Sequence, residues 1–186
     1  MAVTALDPKT ALLILDLQKG TLQLPLAHPA DDIVKRANAL SDAFRRAGLP
    51  VVLVIVDDVP PGRIEAPRHR FEITPEWVEL VPELEQHPAD LRVTKKSPGA
   101  FARTGLEDML RLRGVTQVVL VGVATGGAAD STARQAYELG FNVTMAVDAM
   151  TDIDLERHEH TIATVFPRLG ETGTTEEILA LLRAAH

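Results

Sequence analysis

Short runs of Val, Ile and Leu alternate along this chain with longer stretches of helical periodicity, and this alternation constrains the fold more than any other feature. The apolar runs are ALLIL, VVLVIV, LRVT, QVVLVGV and NVTMAV. They are apolar on both faces, which is typical of parallel strands covered by helices on each side. Strand–helix alternation also requires right-handed crossover connections. The sequence therefore predicts an α/β fold, with a parallel sheet between two layers of helices.

The stretches between the runs carry helix signals of their own. One apolar stripe recurs at steps of four and three residues and ends at a glycine where a helix C-cap belongs; its members are Ile33, Ala37, Leu40, Phe44 and Ala47, followed by Gly48. Capping boxes of the T-x-x-E type begin at Thr104 and at Thr174. Two further helices are expected, one over residues 128–139 and one starting near Asp154.

The size and charge of the chain narrow the classes of function. Its 186 residues suit a single domain spanning 1–186. The net charge of -7 argues against nucleic acid as a partner, because proteins that bind nucleic acid usually present a basic face. No apolar run approaches the roughly 20 residues that span a bilayer, and the N-terminus lacks the pattern of a signal peptide. We therefore expect a cytoplasmic protein with no membrane partner.

Charged residues stand directly after several of the predicted strands. Parallel sheets bind ligands in the crevice outside the carboxyl ends of their strands. Asp16 follows the first run, where burial would disfavour its charge unless a cation lies close. Lys95 follows the third run and is the candidate for that cation. Asp57 and Asp148 also follow apolar runs, and for these two the better interpretation is that they cap a turn.

The segment LVGVATGGAADSTARQAYELG contains the third candidate element. It predicts a buried strand, then a tight turn at Ala124 and Thr125, then a helix rich in small residues. The amides of Gly127, Ala128 and Ala129 would lie in the first helical turn without partners, where an anion or a developing oxyanion is stabilised. Small residues also let a helix pack closely on a sheet, and both interpretations can hold at once.

Three blocks, in this order, resemble the motifs of the isochorismatase-like hydrolase superfamily. They are LLILDLQ, VTKKSPGAFARTGLEDML and LVGVATGGAADSTARQAYELGFNVTMAVDAMTD, and the similarity continues through FPRLGETGTT. Only the stretch 59–88 matches poorly. The resemblance implies a three-layer α/β/α fold with a six-stranded, mostly parallel sheet of Rossmann-like strand order. It also implies a small-molecule substrate and a homo-oligomer.

Most members of this family use an Asp, a Lys and a Cys to hydrolyse small amides. By the resemblance, the Asp matches Asp16, the Lys matches Lys95, and the Cys position falls on Ala128. The chain contains no cysteine at all. The covalent route, in which a thiol attacks and a thioester is then hydrolysed, is therefore closed.

The resemblance also suggests which residues meet the substrate. Family members often have a non-proline cis peptide bond just before the position of Thr125, which helps to form the oxyanion hole. The matching residues would be Ala124 and Thr125. Gly127 and Phe101 complete the predicted substrate-binding set; Phe101 lies six residues after Lys95, as in the family pattern.

A mechanism without a thiol exists inside the family. Isochorismatases acting on vinyl ethers work with glycine at the cysteine position and use the Asp as a general acid. Protonation of the vinyl carbon gives an oxocarbenium ion that water captures, which requires a carboxyl with a raised pKa. Because Asp16 and Lys95 are both present, this acid-catalysed route is chemically open to the chain. The alternatives are a non-catalytic relative that binds a metabolite, or a cysteine amidase inactivated by a Cys-to-Ala exchange at position 128.

Metal and cofactor binding are not predicted. Some amidase relatives hold a metal through D-x-H, but here Asp57 is followed by Asp58 and Val59. His158 and His160 are two residues apart on a predicted helix and would face different directions. The GVATGG segment lacks the spacing of dinucleotide-binding and phosphate-binding loops.

The stretch 59–88 is Pro-rich and interrupts the strand–helix alternation. An irregular segment of this length is more often a functional loop than a neutral connector. Its basic residues either clamp a carboxylate of the substrate or lie in solvent; they are Arg63, Arg68 and Arg70. Its aromatic residues either line a pocket wall or pack in the core; they are Phe71 and Trp77.

Overall fold

Six parallel strands form one sheet in a computed structural model that describes residues 3–65 and 72–185. The strands are β1 (Thr10–Leu15), β2 (Val51–Val56), β3 (Leu91–Lys95), β4 (Gln117–Val123), β5 (Asn142–Thr151) and β6 (Glu171–Gly173). Their order is β3-β2-β1-β4-β5-β6, and every neighbouring pair is parallel. The predicted Rossmann-like α/β/α architecture is confirmed. From β1, the strands β2 and β3 are added on one side of the sheet, and β4, β5 and β6 are added on the other side. The strand order therefore switches between β1 and β4, which is where such folds form their ligand crevice.

Seven α-helices and three short turns of other helical types connect the strands in the described part of the chain. The helices are α1 (Lys19–Leu22), α2 (Ala30–Arg46), α3 (Pro75–Val78), α4 (Leu106–Arg111), α5 (Asp130–Glu138), α6 (Leu155–His160) and α7 (Thr175–Ala185). The turns are π-helical at Thr125–Ala129 and Thr161–Val165 and 3₁₀ at Phe166–Arg168. The first of these, called the 125–129 turn below, precedes α5 and contains residues 128 and 129, which the sequence predicts as the start of that helix.

The helix signals are confirmed with one exception. Gly48 follows α2 with a left-handed φ of +67°, as its place after the apolar stripe predicts. The box at Thr174 is present, because Thr174 N donates to Glu177 and Glu177 N donates back to Thr174. The box predicted at Thr104 is wrong: the N-cap of α4 is Gly105, whose left-handed backbone starts the helix one residue later.

Two apolar layers lie on opposite faces of the sheet. Alternate residues of the strands point to α4 and α5 on one face, and the others point to α2 and α7 on the other face. Leu13 and Leu15 belong to the first layer, and Leu12 and Ile14 belong to the second. Since β1 is buried on both faces, its run of consecutive apolar residues is what a central parallel strand requires.

The strand β5 is longer than the sequence predicts. It continues through Asp148 to Thr151, so Asp148 is not at the strand end. The Asp148 carboxylate instead accepts from the amide and hydroxyl of Thr175 at 2.7 and 3.0 Å, at the start of α7. The prediction that Asp148 caps the turn after its run is therefore wrong, because it caps the start of α7 from within the strand. The residue that directly follows β5 is Asp152. Across the described residues, we find no helix with the length and apolarity to span a bilayer.

Candidate active site

Asp16 and Lys95 form a buried ion pair at the carboxyl edge of the sheet. Lys95 Nζ lies 2.7 Å from Asp16 Oδ2 and 3.2 Å from the carbonyl oxygen of Ser97. Asp16 follows β1, whereas Lys95 ends β3, so the lysine side chain reaches across the end of β2, which lies between them. Both residues are buried, at 4% and 2% exposure. The predicted proximity of the two side chains is confirmed.

The backbone around Asp16 is fixed by neighbouring polar groups. Asp16 has a left-handed φ of +53°, which is uncommon for a residue with a side chain although aspartate tolerates it better than most. Its carbonyl accepts the hydroxyl of Thr21 from α1. The buried Gln18 side chain donates to the carbonyls of Val56 and Val78 and accepts from Val56 N. Gln18 thus ties the turn after β1 to the end of β2 and to α3.

The two oxygens of the Asp16 carboxyl have different surroundings. Oδ2 accepts from Lys95, whereas Oδ1 is shielded from solvent and has no hydrogen-bond partner among the described residues. Burial raises the pKa of Asp16 from 3.8 to about 6, against the opposing effect of the Lys95 charge and its hydrogen bond. A carboxyl in this state exchanges its proton near neutral pH, which general acid–base chemistry requires.

Gly122 brings the end of β4 against the turn after β1. Leu15 pairs with Gly122 in the sheet. A Cβ built on Gly122 would lie 2.0 Å from the carbonyl oxygen of Leu15, and its φ of +116° also favours glycine. This close approach places Asp16, the residue after Leu15, beside the segment that leads into the 125–129 turn. The Ala128 side chain in that turn is buried at 6% exposure.

The 125–129 turn differs in two respects from what the sequence predicts. The cis peptide bond joins Val123 to Ala124, one bond earlier than the bond before Thr125. The amides of Gly127 and Ala129 are not free, because both donate to the Ala124 carbonyl at 3.1 Å. The expected group of three unpartnered amides is therefore wrong for these two. The roles of Ala124, Thr125 and Gly127 in substrate binding remain predictions.

Two residues whose contact with this turn the sequence does not indicate hold it from outside. Asp152, fully buried after β5, accepts the amide of Gly126 at 2.8 Å and pairs with the Arg157 guanidinium. The Nδ1 atom of His158 lies 2.7 Å from the hydroxyl oxygen of Thr125. The signal for Asp152 was its place at a strand end, which the mistaken end of β5 at Asp148 concealed.

Other predicted site residues lie elsewhere or outside the described residues. The Phe101 ring packs in the core, 5.7 Å from the Phe141 ring, and its predicted contact with substrate stays a prediction. Trp77 packs against Gly20, where a Cβ would lie 2.0 Å from the indole. Arg63 is exposed. The remaining candidates of the loop, Arg68, Arg70 and Phe71, fall outside the part of the chain that the structure describes.

The histidines of α6 have separate environments. His158 is buried against Thr125, whereas His160 is exposed, in line with the different directions that their spacing predicts. Within residues 3–65 and 72–185, no three side chains of His, Cys, Asp or Glu come together as a metal site would require.

The fold and this edge of the sheet define a class: a three-layer α/β protein with a buried acid–lysine pair beside a turn that opens a helix. A family model, the Isochorismatase domain, matches residues 10–177. The chain belongs to the isochorismatase family, a family of hydrolases that act on small molecules.

Similar proteins support this membership at the level of sequence and of structure. The isochorismatase family protein YecD from Escherichia coli O157:H7 is 37% identical over 182 residues, covering 93% of this chain and 96% of that protein. A streptothricin hydrolase from Streptomyces noursei is 32% identical and matches 94% of this chain and 63% of its own length. The structure of an isochorismatase family protein from Burkholderia thailandensis superposes with a TM-score of 0.94 at 34% identity, covering 98% of this chain and all of that one.

Proposed function

We propose that this protein hydrolyses a small metabolite without a covalent thiol intermediate, with Asp16 as the general acid and base. The observation that carries the proposal is the Asp16 carboxyl, which is buried, held at one oxygen by Lys95 and unpartnered at the other. Position 128, where the resemblance expects the nucleophile, is an alanine. The remaining groups support proton transfer to the substrate rather than attack upon it.

The raised pKa of Asp16 suits this role. With a pKa of about 6, about one-tenth of the Asp16 side chains carry a proton at pH 7. Such a carboxyl can protonate a weakly basic carbon or oxygen and can then regain a proton from water. Lys95 prevents the pKa from rising further, since its charge and hydrogen bond favour the ionised form.

A vinyl ether fits these groups best. The Asp16 Oδ1–H group donates its proton to the terminal vinyl carbon, where a C–H bond forms and the ether carbon becomes an oxocarbenium ion. Water then adds to that carbon and returns a proton to the carboxylate. The resulting hemiketal separates into a carbonyl compound and an alcohol. No bond to the protein forms at any step, so an alanine at position 128 is compatible with the reaction.

Access to the site limits the substrate. Asp16, Lys95 and Ala128 are all less than one-tenth exposed. A substrate therefore reaches Oδ1 only when the elements around it move apart, and the enclosed position favours a small molecule over a polymer.

The test is a substrate screen of the wild type and two variants. Wild type is assayed against vinyl ethers, amides and carbamates, beside Asp16→Asn and Asp148→Asn. Asp148 is a matched control because it is another aspartate of the sheet but caps α7. We expect turnover of a vinyl ether by the wild type, a loss of at least about 100-fold in kcat/KM for Asp16→Asn, and no change for Asp148→Asn.

Three results would contradict the proposal. Unchanged turnover by Asp16→Asn would remove the acid from the mechanism. A gain of amide hydrolysis by Ala128→Cys, with no vinyl ether turnover by the wild type, would instead identify an amidase that lacks its nucleophile. Binding without turnover in all classes would favour a non-catalytic metabolite-binding protein.

A further inference from the structure

A chain of polar side chains, all buried except the partly exposed His28, leads away from the 125–129 turn on the side of α6. The Thr125 hydroxyl contacts His158 Nδ1 at 2.7 Å. The His158 ring packs on the ring of His28, with centroids 4.7 Å apart at an angle of 55°. His28 Nδ1 in turn lies 3.0 Å from the Thr151 hydroxyl at the end of β5. Thr125 and Thr151 are completely buried and His158 is 7% exposed, whereas the His28 ring is partly exposed to solvent.

The turn depends on such outside contacts because its own residues are small. A Cβ at Gly127 would meet only the Ala124 Cβ within 4 Å, at 3.7 Å, and Gly127 itself adds no side chain to the packing. At Gly126 the space of a Cβ is taken by the Arg157 side chain, with Cγ at 2.6 Å. Glycine-rich backbone has more freedom than any other. Besides its internal hydrogen bonds to the Ala124 carbonyl, the turn is held from outside by Asp152 at the Gly126 amide and by His158 at Thr125.

We propose that His158 is a positioning residue for the reaction at Asp16: its uncharged ring holds the Thr125 hydroxyl and thereby fixes the turn that carries Ala128. The inference rests on the proposed function, since it assigns a second residue to the same site. His158 acts through Thr125 and makes no contact with the reacting atoms. Protonation of His158 changes this link, because a charged ring can only donate at Nδ1 whereas the neutral ring can also accept there.

The groups around His158 favour its neutral form. Burial and the neighbouring His28 lower the pKa of His158, and Asp152 and Glu159 act in the opposite direction. The Thr125 hydroxyl contacts the His158 ring directly, whereas the Thr151 hydroxyl contacts the neighbouring His28 ring. The ring is consequently uncharged at neutral pH and accepts a proton only below the ordinary histidine pKa of 6.5.

The proposed reaction then requires Asp16 and His158 to be in two particular protonation states, and each state is lost in a different direction of pH. Asp16 must be protonated to act as the acid, which is lost as pH rises through about 6. His158 must be neutral to accept the Thr125 hydroxyl proton, and this arrangement is lost as pH falls through its lowered pKa, because the charged ring can only donate at Nδ1. The profile of kcat against pH is expected to fall on both sides, with the acid limb caused by His158 and the alkaline limb by Asp16.

The variants His158→Asn, His158→Leu and His160→Asn separate positioning from folding. Asparagine places an amide near the position of Nδ1 and does not titrate, so His158→Asn keeps kcat near wild type at neutral pH and loses the acid limb. Leucine cannot hold the hydroxyl, and kcat falls by between about 10-fold and 100-fold with little change in KM. The exposed His160 is the matched control, and His160→Asn retains the wild-type profile. An acid limb that survives in His158→Asn overturns the inference.

A second measurement decides the inference without any substrate. In ¹⁵N-labelled wild type, the amide resonances of residues 125–129 are expected to shift with the same midpoint as the His158 ring, below pH 6.5. These shifts are expected to disappear in His158→Asn and to persist in His160→Asn. Amides that do not respond to the His158 titration would overturn the inference even where Asp16-dependent turnover is found. Conversely, coupled amides in a protein without turnover would leave the link intact and contradict only the proposed function.

Discussion

The amino edge of the sheet, where its strands begin, and the carboxyl edge, where they end, differ in how they bury polar groups. At the amino edge, Gln117 uses all of its hydrogen-bonding capacity: Oε1 accepts from Asp7 N and the Thr10 hydroxyl, and Nε2 donates to the Ala5 carbonyl and to Thr144. At the carboxyl edge, the carboxyl of Asp16 is equally buried but one of its oxygens has no partner among the described residues.

This difference separates a polar group that stabilises the fold from one that is available for chemistry. A buried group with all its bonds made stabilises the structure and has nothing left to offer a ligand. A buried group with an unmade bond costs free energy, about 1–3 kcal/mol, until something binds to it. The raised pKa of Asp16 expresses the same cost, because burial penalises its charge more than Lys95 compensates for it.

The largest effect that tests this comparison is expected for Lys95→Met. Without the lysine, an ionised Asp16 is a buried charge without a partner, and the free energy of unfolding at pH 8 should fall by about 3–5 kcal/mol. The folded-state pKa of Asp16 lies above its ordinary 3.8, so this group favours the fold below pH 3.8 and loses that contribution as pH rises through about 6. Because Lys95 lowers the pKa of Asp16, its removal extends this loss to higher pH.

Urea unfolding at pH 5 and at pH 8 measures this prediction. The loss of stability should be smaller at pH 5, where Asp16 is protonated in the variant. Lys96→Met is the matched control, since the Lys96 side chain is 67% exposed and should change stability by less than about 0.5 kcal/mol. Equal losses at both pH values would show that Lys95 supports the fold through packing rather than through its charge.

A smaller effect is expected at the amino edge. Gln117→Met preserves the length of the side chain but leaves the partners at Asp7, Thr10 and Thr144 unsatisfied, and we expect a loss of about 2 kcal/mol. This loss should be the same at pH 5 and pH 8, and turnover by the folded protein should not change. Gln86→Met, at an exposed glutamine bonded to Arg92, serves as the control. A change in kcat for Gln117→Met would mean that the two edges are not independent.

Much of the fold and the centre of the site could be predicted from the sequence. Runs of consecutive apolar residues such as VVLVIV occur where a strand is covered on both faces, and β2 occupies that run. Asp16 and Lys95 could be paired because the carboxyl ends of parallel strands meet at one edge, and the family resemblance named the same two residues. Each of these inferences depends on a local pattern or on a general rule of parallel sheets.

The parts that could not be predicted depend on contacts between distant segments. Asp148 looked like a strand end because a charged residue interrupts the apolar run, yet the pairing of β5 continues to Thr151. The roles of Asp152 and His158 come from their contacts with Gly126 and Thr125, which lie 26 and 33 residues away in the chain. No local pattern encodes such contacts. The hydrogen bonds from the Gly127 and Ala129 amides to the Ala124 carbonyl likewise depend on the backbone path of the turn in three dimensions.

The central claim concerns the ionisation of one carboxyl group, and that ionisation can be measured directly. In protein carrying ¹³C-labelled aspartate, the Asp16 side-chain resonance is identified by its disappearance in Asp16→Asn and followed from pH 3 to pH 9. The account predicts a midpoint of about 6, and a higher midpoint in Lys95→Met. A midpoint near the ordinary 3.8 would show that Asp16 is a fully compensated structural charge, and the proposed acid chemistry would then have no basis.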